Sequence, residues 1–154
     1  MELKNINGNL LDSKADLIIH QVNCLGVMGG GVALAIKNKW PVVFEEYEKL
    51  FRNSNDWSRE LLGRIQVVKI NETQSVVNLF GQAECGYGGR FTSYDAVDDA
   101  LAKIVTYCTN NGVKSVALPY KMSSDRGGAN WNVILEMVKQ RFEPLDIDVE
   151  IWKL

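Results

Sequence analysis

The amino-acid sequence predicts an α/β fold, a sandwich in which helices pack against a mostly parallel central sheet. Short apolar segments rich in Val and Ile alternate with helical patterns along the chain. Two of these segments, residues 17–19 and 116–118, are continuously apolar, which is typical of strands buried on both faces. The length of 154 residues and the 46% hydrophobic content fit a single domain over residues 1–154. Ligands of such sheets bind beyond the carboxyl ends of the strands, so we expect a site there.

Six segments have the length and composition of β-strands. They are short, apolar and enriched in residues that favour strands. The first is the weakest pattern and suits the edge of a sheet. In chain order the predicted strands are residues 2–6, 16–21, 64–70, 75–80, 115–120 and 147–152.

Helical patterns with recognisable ends separate these strands. Pro41 suits the first position of a helix, and Ser93 and Asn130 suit the N-cap position of two later ones. Asn111 and Gly112 tolerate the left-handed conformation that closes a helix, and they follow the Ser93 helix. The apolar stripes predicted to face the core are Val43, Phe44, Tyr47, Leu50 and Phe51, then Tyr94, Val97, Leu101, Ile104, Val105 and Cys108, then Trp131, Ile134, Met137 and Val138.

The most informative segment joins the second predicted strand to a helix-forming run. Gly29, Gly30 and Gly31 are consecutive, and the run that begins at Val32 follows them directly. Backbone N–H groups without side chains then lie at a helix N-terminus, where partial positive charge favours a phosphate. The alternative is that the glycines only allow tight turns and close helix–sheet contacts.

A second strand–loop–helix unit repeats this arrangement. The predicted strand at residues 115–120 leads into a loop with Ser123, Ser124, Gly127 and Gly128, and then into the helix capped by Asn130. Two such loops can hold a diphosphate from two sides. The usual phosphate-binding fingerprints do not fit, since no GK[ST] follows a glycine loop and the first loop reads G-x-x-G-G-G.

Charge and composition exclude several other classes. Seventeen basic and nineteen acidic residues leave a net charge of −2, with no Lys/Arg-rich run, so no extended nucleic-acid surface is expected. No apolar run approaches the ~20 residues that span a membrane. Cys24, Cys85 and Cys108 are odd in number and lack CxxC spacing, which favours reduced thiols and a cytoplasmic protein. Because His20 is the only histidine, we expect no histidine-rich metal site. A magnesium ion held by Asp or Glu is left open, although no motif indicates one, and we expect no cofactor.

The segment "IIHQVNCLGVMGGGVALAIKNKWP" resembles the signature of the macro domain, an ADP-ribose-binding module. The segments "VVNLFGQ", "YDAVDDAL" and "ALPYKMSSDRGGANWNVI" resemble its phage-type, ADP-ribose-1''-phosphate phosphatase-like branch. The resemblance implies a three-layer α/β/α sandwich around a mixed sheet of about six strands. It also implies that the partner is ADP-ribose or ADP-ribose-1''-phosphate, with ADP-ribosylated macromolecules as a further possibility.

The resemblance assigns ligand-binding roles to individual residues. Asn23 matches the asparagine that contacts the distal ribose, and the three consecutive glycines match the loop around that ribose and the diphosphate. Trp152 matches an aromatic position that contacts adenine, although burial as ordinary core is the alternative. The ligand-binding residues implied are Asn9, Leu10, Asn23, Met28, Gly29, Gly30, Gly31, Val32, Ser123, Ser124, Arg126 and Trp152.

Two positions depart from the pattern of that family. Ser123, Ser124 and Asp125 stand where the family usually shows Gly-Cys-Gly, so a carboxylate lies beside the expected diphosphate and would repel it. The two serine hydroxyls can instead donate hydrogen bonds. Asn9 stands where many relatives carry an Asp that accepts from the adenine amino group, and an amide oxygen accepts less strongly.

Two residues are candidates for chemistry. His20 matches a histidine of the phosphatase-like branch and has a side chain suited to proton transfer near neutral pH; the alternative is a buried histidine bonded within the sheet. Asp125 can orient a water or a ribose hydroxyl, or it can be a turn residue. Relatives that remove ADP-ribose from glutamate with a lysine–aspartate pair carry the lysine near Gly81 or Gln82. This chain has no lysine there, which disfavours a covalent mechanism through lysine.

Three functions follow from these observations. The first is hydrolysis of an ADP-ribose derivative, with removal of the terminal phosphate of ADP-ribose-1''-phosphate as the expected reaction and water as the nucleophile. The second is binding of ADP-ribose or ADP-ribosylated protein without chemistry. The third is removal of ADP-ribose from proteins or nucleic acid by the same site.

Overall fold

A computed structural model of the chain describes residues 1–52, 59–84, 89–124 and 127–154. Within these residues, six strands form one sheet in the order β1-β6-β5-β2-β4-β3. All neighbouring strands are parallel except β3, which pairs antiparallel with β4. The strands are β1 (Glu2–Asn7), β2 (Leu17–Val22), β3 (Ile65–Lys69), β4 (Ser75–Phe80), β5 (Ser115–Pro119) and β6 (Asp148–Lys153). The predicted mixed, mostly parallel sheet is confirmed.

The predicted capping residues lie at the ends of two of the helices. The four α-helices of the described residues are α1 (Gly31–Lys39), α2 (Pro41–Arg52), α3 (Tyr94–Asn111) and α4 (Trp131–Phe142), and short 3-10 turns lie at Leu10–Asp12 and Arg59–Leu61. The Ser93 side chain accepts a hydrogen bond from the Ala96 N–H at the start of α3, and Gly112 closes α3 at φ +64°. Asn130 caps α4 by accepting from the Asn132 N–H.

The central sheet separates two apolar cores. Leu17 and Ile19 of β2 point to the core that α3 and α4 cover, whereas Ile18 and Val22 point to the core under α1 and α2. The alternation follows from the two-residue period of a strand. The fold is therefore the expected three-layer α/β/α sandwich. Leu50, predicted to face the core, is instead 37% exposed in the last turn of α2.

The parallel strands bring several loops to one edge of the sheet. β1, β6, β5, β2 and β4 all run in the same direction, so the segments that follow them emerge at the same carboxyl edge. The segments that follow β2, β4 and β5 are neighbours there, because these three strands are adjacent in the sheet. This is the edge at which the sequence predicts a ligand site.

Among the described residues, no α-helix combines the length and the apolar character needed to cross a membrane. The thiols of Cys24 and Cys108 are free and buried, and burial raises their pKa values to about 11 and about 12. Cys85 lies outside the described residues.

Candidate functional site

The first loop, residues 23–30 together with the start of α1, presents bare backbone at the carboxyl edge of the sheet. Gly30 caps α1 without any side-chain hydrogen bond. Gly29 and Gly31 are exposed, and a Cβ atom at either position would meet nothing within 4 Å. The first N–H groups of a helix have no intrahelical partner, and the open space leaves those of α1 accessible. The glycines therefore do not serve close packing here, although the φ of +58° at Gly31 does favour glycine.

The two residues that flank the glycines have apolar side chains turned towards the protein. Met28 is 2% exposed and belongs to the core under α1 and α2. Val32 is half-buried and packs against the same core. Of the groups predicted to touch a ligand here, Met28 therefore offers its backbone rather than its side chain.

The Asn23 side chain is held in place by its own loop and by helix α2. Its Oδ1 accepts from the Leu25 N–H at 3.0 Å, and its Nδ2 donates to the Val27 carbonyl at 3.1 Å. The Tyr47 hydroxyl lies 2.7 Å from both Asn23 Oδ1 and the Asn23 carbonyl, and it accepts from the Gly26 N–H at 3.2 Å. Sequence reasoning placed Tyr47 only in an apolar stripe and missed this supporting role, for which a buried tyrosine needing a hydroxyl partner was the available signal.

The turn after β5, residues 121–124, has an unusual backbone. Lys121 and Ser123 adopt left-handed conformations at φ +60° and +70°, which non-glycine residues rarely occupy. Ser123 is 8% exposed, and its hydroxyl donates to Gln21 Oε1. The Ser124 hydroxyl reaches the Met122 carbonyl at 3.3 Å. Both hydroxyls therefore bond to protein groups, which is a different use from the predicted donation to a phosphate. Asp125 and Arg126 lie outside the described residues.

A cluster of polar side chains, here called the Gln21 cluster, joins this turn to the rest of the site. It consists of Gln21, Gln82, Thr92 and Ser123. The Gln21 Nε2 donates to Gln82 Oε1 at 2.7 Å and to Thr92 Oγ1 at 2.9 Å, and Thr92 Oγ1 donates to the Ser123 carbonyl at 2.9 Å. Nothing in the local sequence pattern predicted these contacts, because they link three separate segments.

His20 is buried on the α2 side of the sheet. It is 1% exposed, and its Nε2 lies 2.6 Å from Asn78 Oδ1 of the neighbouring strand. Asn78 Nδ2 donates to Gln66 Oε1, and Gln66 Nε2 donates to the Glu46 carbonyl of α2. Because the Asn78 amide nitrogen donates to Gln66, its amide oxygen faces His20 as a hydrogen-bond acceptor. We therefore assign the ring proton of His20 to Nε2.

The other ring nitrogen of His20, Nδ1, has no hydrogen-bond partner among the described residues. Burial lowers the His20 pKa to about 4, so the ring is neutral near pH 7. Of the two interpretations left open by the sequence, this geometry favours the histidine bonded within the sheet. The catalytic role of His20 stays a prediction.

The residues predicted to contact adenine lie at the ends of β1 and β6. Asn9 is exposed, and its Oδ1 accepts from the Leu11 N–H at 3.0 Å, while Leu10 is 5% exposed in the core. Trp152 is half-buried, and its Nε1 donates to Glu150 Oε1 at 2.8 Å. The Trp152 ring therefore has a fixed orientation with part of its surface open to solvent.

A surface depression of about 360 Å³ is lined by residues 90–95. It lies at the start of α3, where the Phe91 and Thr92 N–H groups donate to the Gly127 carbonyl. The Arg90 guanidinium lies 4.5 Å from the centre of the Tyr94 ring, and the Tyr94 hydroxyl accepts from the Asn130 N–H at 2.9 Å. Another depression, of about 400 Å³, lies on the outer face of α4 and does not involve the carboxyl edge.

Comparison with curated proteins finds two kinds of relative. The chain is 27% identical over 150 residues to the DNA ADP-ribosyl glycohydrolase of Thermus aquaticus, an alignment that covers 97% of the chain and 40% of the relative. It is 41% identical over 46 residues to the ADP-ribose 1''-phosphate phosphatase of Aspergillus oryzae, covering 29% of the chain and 23% of the relative. The chain thus spans less than half the length of the curated relatives it matches.

Solved structures share the whole fold. A protein of unknown function from Bacteroides thetaiotaomicron superposes with a TM-score of 0.87 at 24% identity, covering 100% of this chain and 99% of the other. The macrodomain of Thermus aquaticus DarG superposes with a TM-score of 0.79 at 24% identity, covering 97% of both chains. A profile of the Macro domain family matches residues 19–138, which is most of the sequence. The family profile and the shared fold together show that this chain belongs to the macro domain family.

Proposed function

We propose that this macro domain binds ADP-ribose at the carboxyl edge of the sheet, with the diphosphate at the N-terminus of α1. The observation that carries the proposal is the glycine backbone at the start of α1: no side chain caps the helix at Gly30, and Gly29 and Gly31 are exposed with open space around them. Unpaired N–H groups and the positive end of the helix dipole attract a phosphate. The chain has a net charge of −2, so these amides rather than a general positive field compensate the ligand.

The neighbouring residues suit the two ends of such a ligand. Asn23, supported by Tyr47, lies beside the glycines on the side where the family resemblance puts the distal ribose. Trp152 and Asn9 lie at the ends of strands on the other side of β5, where the same resemblance puts adenine. In the proposed complex the diphosphate lies between these two ends of the ligand.

We further propose hydrolysis at the 1'' position of the distal ribose. Two reactions fit: release of the terminal phosphate of ADP-ribose-1''-phosphate, and release of ADP-ribose from a modified macromolecule. The names of the Aspergillus oryzae and Thermus aquaticus relatives support one reaction each. The longer alignment, over 97% of the chain, favours removal of ADP-ribose from a macromolecule such as DNA.

Water is the proposed nucleophile in either reaction. Gln82 lies near the position where some relatives place a lysine, but an amide is not nucleophilic. Its Oε1 accepts from Gln21, and its Nε2 donates to the Glu84 carbonyl at 2.7 Å, so both groups bond to protein. Asp125 is proposed to orient the water or a ribose hydroxyl, a role that rests on the family resemblance.

A second candidate function, binding without chemistry, is favoured by one observation. Three polar side chains described at the site, those of Asn23, Gln82 and Ser123, all bond to protein groups. His20 is buried within the sheet, and its ring is neutral near pH 7. These residues support the shape of the site, which is sufficient for a protein that only binds ADP-ribose.

Calorimetry with ADP-ribose tests the binding proposal. Gly29→Glu adds a carboxylate beside the proposed diphosphate without a clash, since a Cβ there meets nothing within 4 Å. We expect the parent protein to bind and the variant to bind at least about tenfold more weakly. Thr106→Glu adds the same charge on the exposed side of α3 and should leave affinity unchanged. Failure of the parent to bind would overturn the proposal.

Turnover assays separate the candidate functions. Phosphate release from ADP-ribose-1''-phosphate and ADP-ribose release from ADP-ribosylated DNA are measured on the same preparation. Turnover of either substrate supports the hydrolase, and tight ADP-ribose binding with neither product supports the binding module. If His20 takes part in the chemistry, His20→Ala lowers turnover and keeps affinity; an unchanged rate removes His20 from the mechanism.

A further inference from the structure

The Gln21 side chain connects three segments of the proposed site. Gln21 is near the end of β2, Gln82 and Thr92 belong to the segment between β4 and α3, and Ser123 belongs to the turn after β5. Its amide donates twice, to Gln82 Oε1 and Thr92 Oγ1, and accepts once, from the Ser123 hydroxyl. One side chain of β2 thus connects the strand that precedes the first loop to both neighbouring segments.

The turn after β5 needs such an anchor. Lys121 and Ser123 both adopt left-handed backbone conformations, which are unfavourable for residues other than glycine. The bonds within the turn are local, from the Met122 N–H to Pro119 and from the Ser124 N–H to Lys121. Contacts to other segments therefore stabilise this shape. Ser123 makes the hydrogen bonds among these contacts, and the buried Met122 side chain packs in the core that α3 and α4 cover.

Ser123 is held by its side chain and by its carbonyl. The hydroxyl donates to Gln21, and the carbonyl accepts from Thr92 Oγ1 at 2.9 Å and from the Ala129 N–H at 3.0 Å. Among the described residues, the Ser123 N–H has no partner. Both Ser123 oxygens bond to protein, so its N–H is the polar group of this residue that remains available for a ligand.

The backbone around the cluster is packed too closely for larger residues. A Cβ at Gly81 would overlap Gln21 Oε1, and a Cβ at Gly127 would overlap Thr92 Oγ1. Neither glycine has a positive φ, so the reason for glycine there is space rather than backbone conformation. The cluster is therefore a closely fitted contact and not a loose surface network.

From this geometry we propose that Gln21 is a positioning residue, which acts through Ser123 to hold the turn at residues 121–124 in its ligand-binding shape. The inference rests on the proposed binding of ADP-ribose. Ser123 stands where the family usually shows glycine, and under this proposal its hydroxyl makes a stabilising hydrogen bond to Gln21 that a glycine could not make.

The test combines Gln21→Met, Ser123→Gly and the double variant. Gln21→Met keeps the size of the side chain and loses its hydrogen bonds. Ser123→Gly relieves the left-handed strain but loses the hydroxyl, so a purely local role for Ser123 predicts equal or better binding. Under the proposal each single variant binds ADP-ribose about tenfold more weakly, and the double variant binds no more weakly than Gln21→Met alone.

Gln74→Met is the matched control. Gln74 is a buried glutamine that, like Gln21, donates twice, to the Ser13 and Ala15 carbonyls, and accepts once, from Asn71. It precedes β4, at the opposite edge of the sheet from the site. We expect it to lose comparable stability but to keep the parent affinity within about twofold.

Hydrogen exchange provides a readout without ligand. The Ala129 N–H, which donates to the Ser123 carbonyl, should exchange faster relative to β2 amides in Gln21→Met and Ser123→Gly, and not in Gln74→Met. If the parent binds ADP-ribose and Gln21→Met binds equally well, the positioning role is overturned while the proposed binding function stands. The same holds if the effects of the two single variants on affinity multiply in the double variant. If the parent does not bind, the proposed function fails and this role fails with it.

Discussion

At the residue scale, the backbone conformation decides which of the three consecutive glycines is required by the fold. Gly31 has a φ of +58°, in the region that side chains avoid, whereas Gly29 is not among the residues with positive φ. Both positions face open space. The difference between them is therefore conformational and not one of packing.

This difference predicts unequal losses of stability from the same substitution at the two positions. Gly31→Ala should lower the free energy of unfolding by about 1 kcal/mol, because alanine resists the left-handed conformation. Gly29→Ala should change it by less than about 0.5 kcal/mol. Urea denaturation of both variants and the parent provides the measurement, and equal losses at the two positions would contradict the conformational explanation.

His20 makes the stability of the fold depend on pH. Burial lowers its pKa from 6.5 to about 4. Between these values the unfolded chain binds a proton that the folded chain does not, so the free energy of unfolding falls as the pH is lowered through this range. The loss attributable to His20 is at most roughly 3 kcal/mol.

His20→Gln should remove this part of the pH dependence. Glutamine does not titrate, and its amide nitrogen can donate to Asn78 Oδ1 as His20 Nε2 does. Urea denaturation at about pH 7 and about pH 4.5 should show a smaller loss in the variant than in the parent. An equal loss in both proteins would show that other groups account for the pH dependence.

At the scale of elements, helix ends and helix–loop contacts position the site. Ser93 caps α3, whose buried face forms much of one core, and Gly81 accepts from the Ser93 N–H in the segment next to the Gln21 cluster. We expect Ser93→Ala to lower the free energy of unfolding by about 1 kcal/mol. Thr106→Ala, on an exposed turn of the same helix, should change it by less than about 0.5 kcal/mol.

The Tyr47 hydroxyl ties α2 to the first loop, so its removal should affect both stability and binding. Tyr47→Phe leaves the Gly26 N–H and Asn23 Oδ1 without this partner. We expect a loss of about 1–2 kcal/mol in unfolding free energy and a severalfold weaker affinity for ADP-ribose. Tyr107→Phe on α3 is the control, because no hydrogen bond joins its hydroxyl to the described residues. Unchanged affinity in Tyr47→Phe would show that Asn23 does not depend on this support.

At the scale of the whole molecule, a slightly anionic chain is proposed to bind an anionic ligand. The net charge is −2, and the proposed diphosphate contacts are backbone N–H groups rather than lysine or arginine side chains. Salt screens long-range attraction between exposed charges much more than it weakens short hydrogen bonds to fixed amides. The mode of binding therefore has a measurable signature in its salt dependence.

We expect the affinity for ADP-ribose to change by no more than about threefold between about 50 and about 500 mM NaCl. Calorimetry at several salt concentrations measures this directly. A steep decrease with salt would show that side-chain charges, and not the glycine backbone, compensate the diphosphate.

The elements of the fold were predictable from local patterns. All six predicted strands and the caps Ser93 and Asn130 are confirmed, because apolar periodicity and capping chemistry depend on residues near one another in sequence. The membership of the macro domain family also followed from continuous motifs, of which the glycine segment is the most specific. Leu50 shows the limit of this approach, because its apolar pattern did not reveal where the core ends.

For the candidate site, local patterns predicted a glycine-rich helix start but not the side-chain contacts around it. Sequence reasoning located the exposed glycines at a helix start, yet it missed Tyr47 and Gln21 and assigned the Ser123 hydroxyl to a ligand rather than to Gln21. These contacts join residues that are far apart along the chain. They depend on β2 lying between β4 and β5 in the sheet.

Local sequence patterns were sufficient to predict the alternation of strands and helices, the caps of α3 and α4, and a helix start made of glycines. The hydrogen bond between the buried His20 and Asn78, and the one between Ser123 and Gln21, became visible only in the folded chain. The physical reason is that periodicity and capping act within a few residues, whereas burial and side-chain hydrogen bonding depend on which distant segments the sheet makes neighbours.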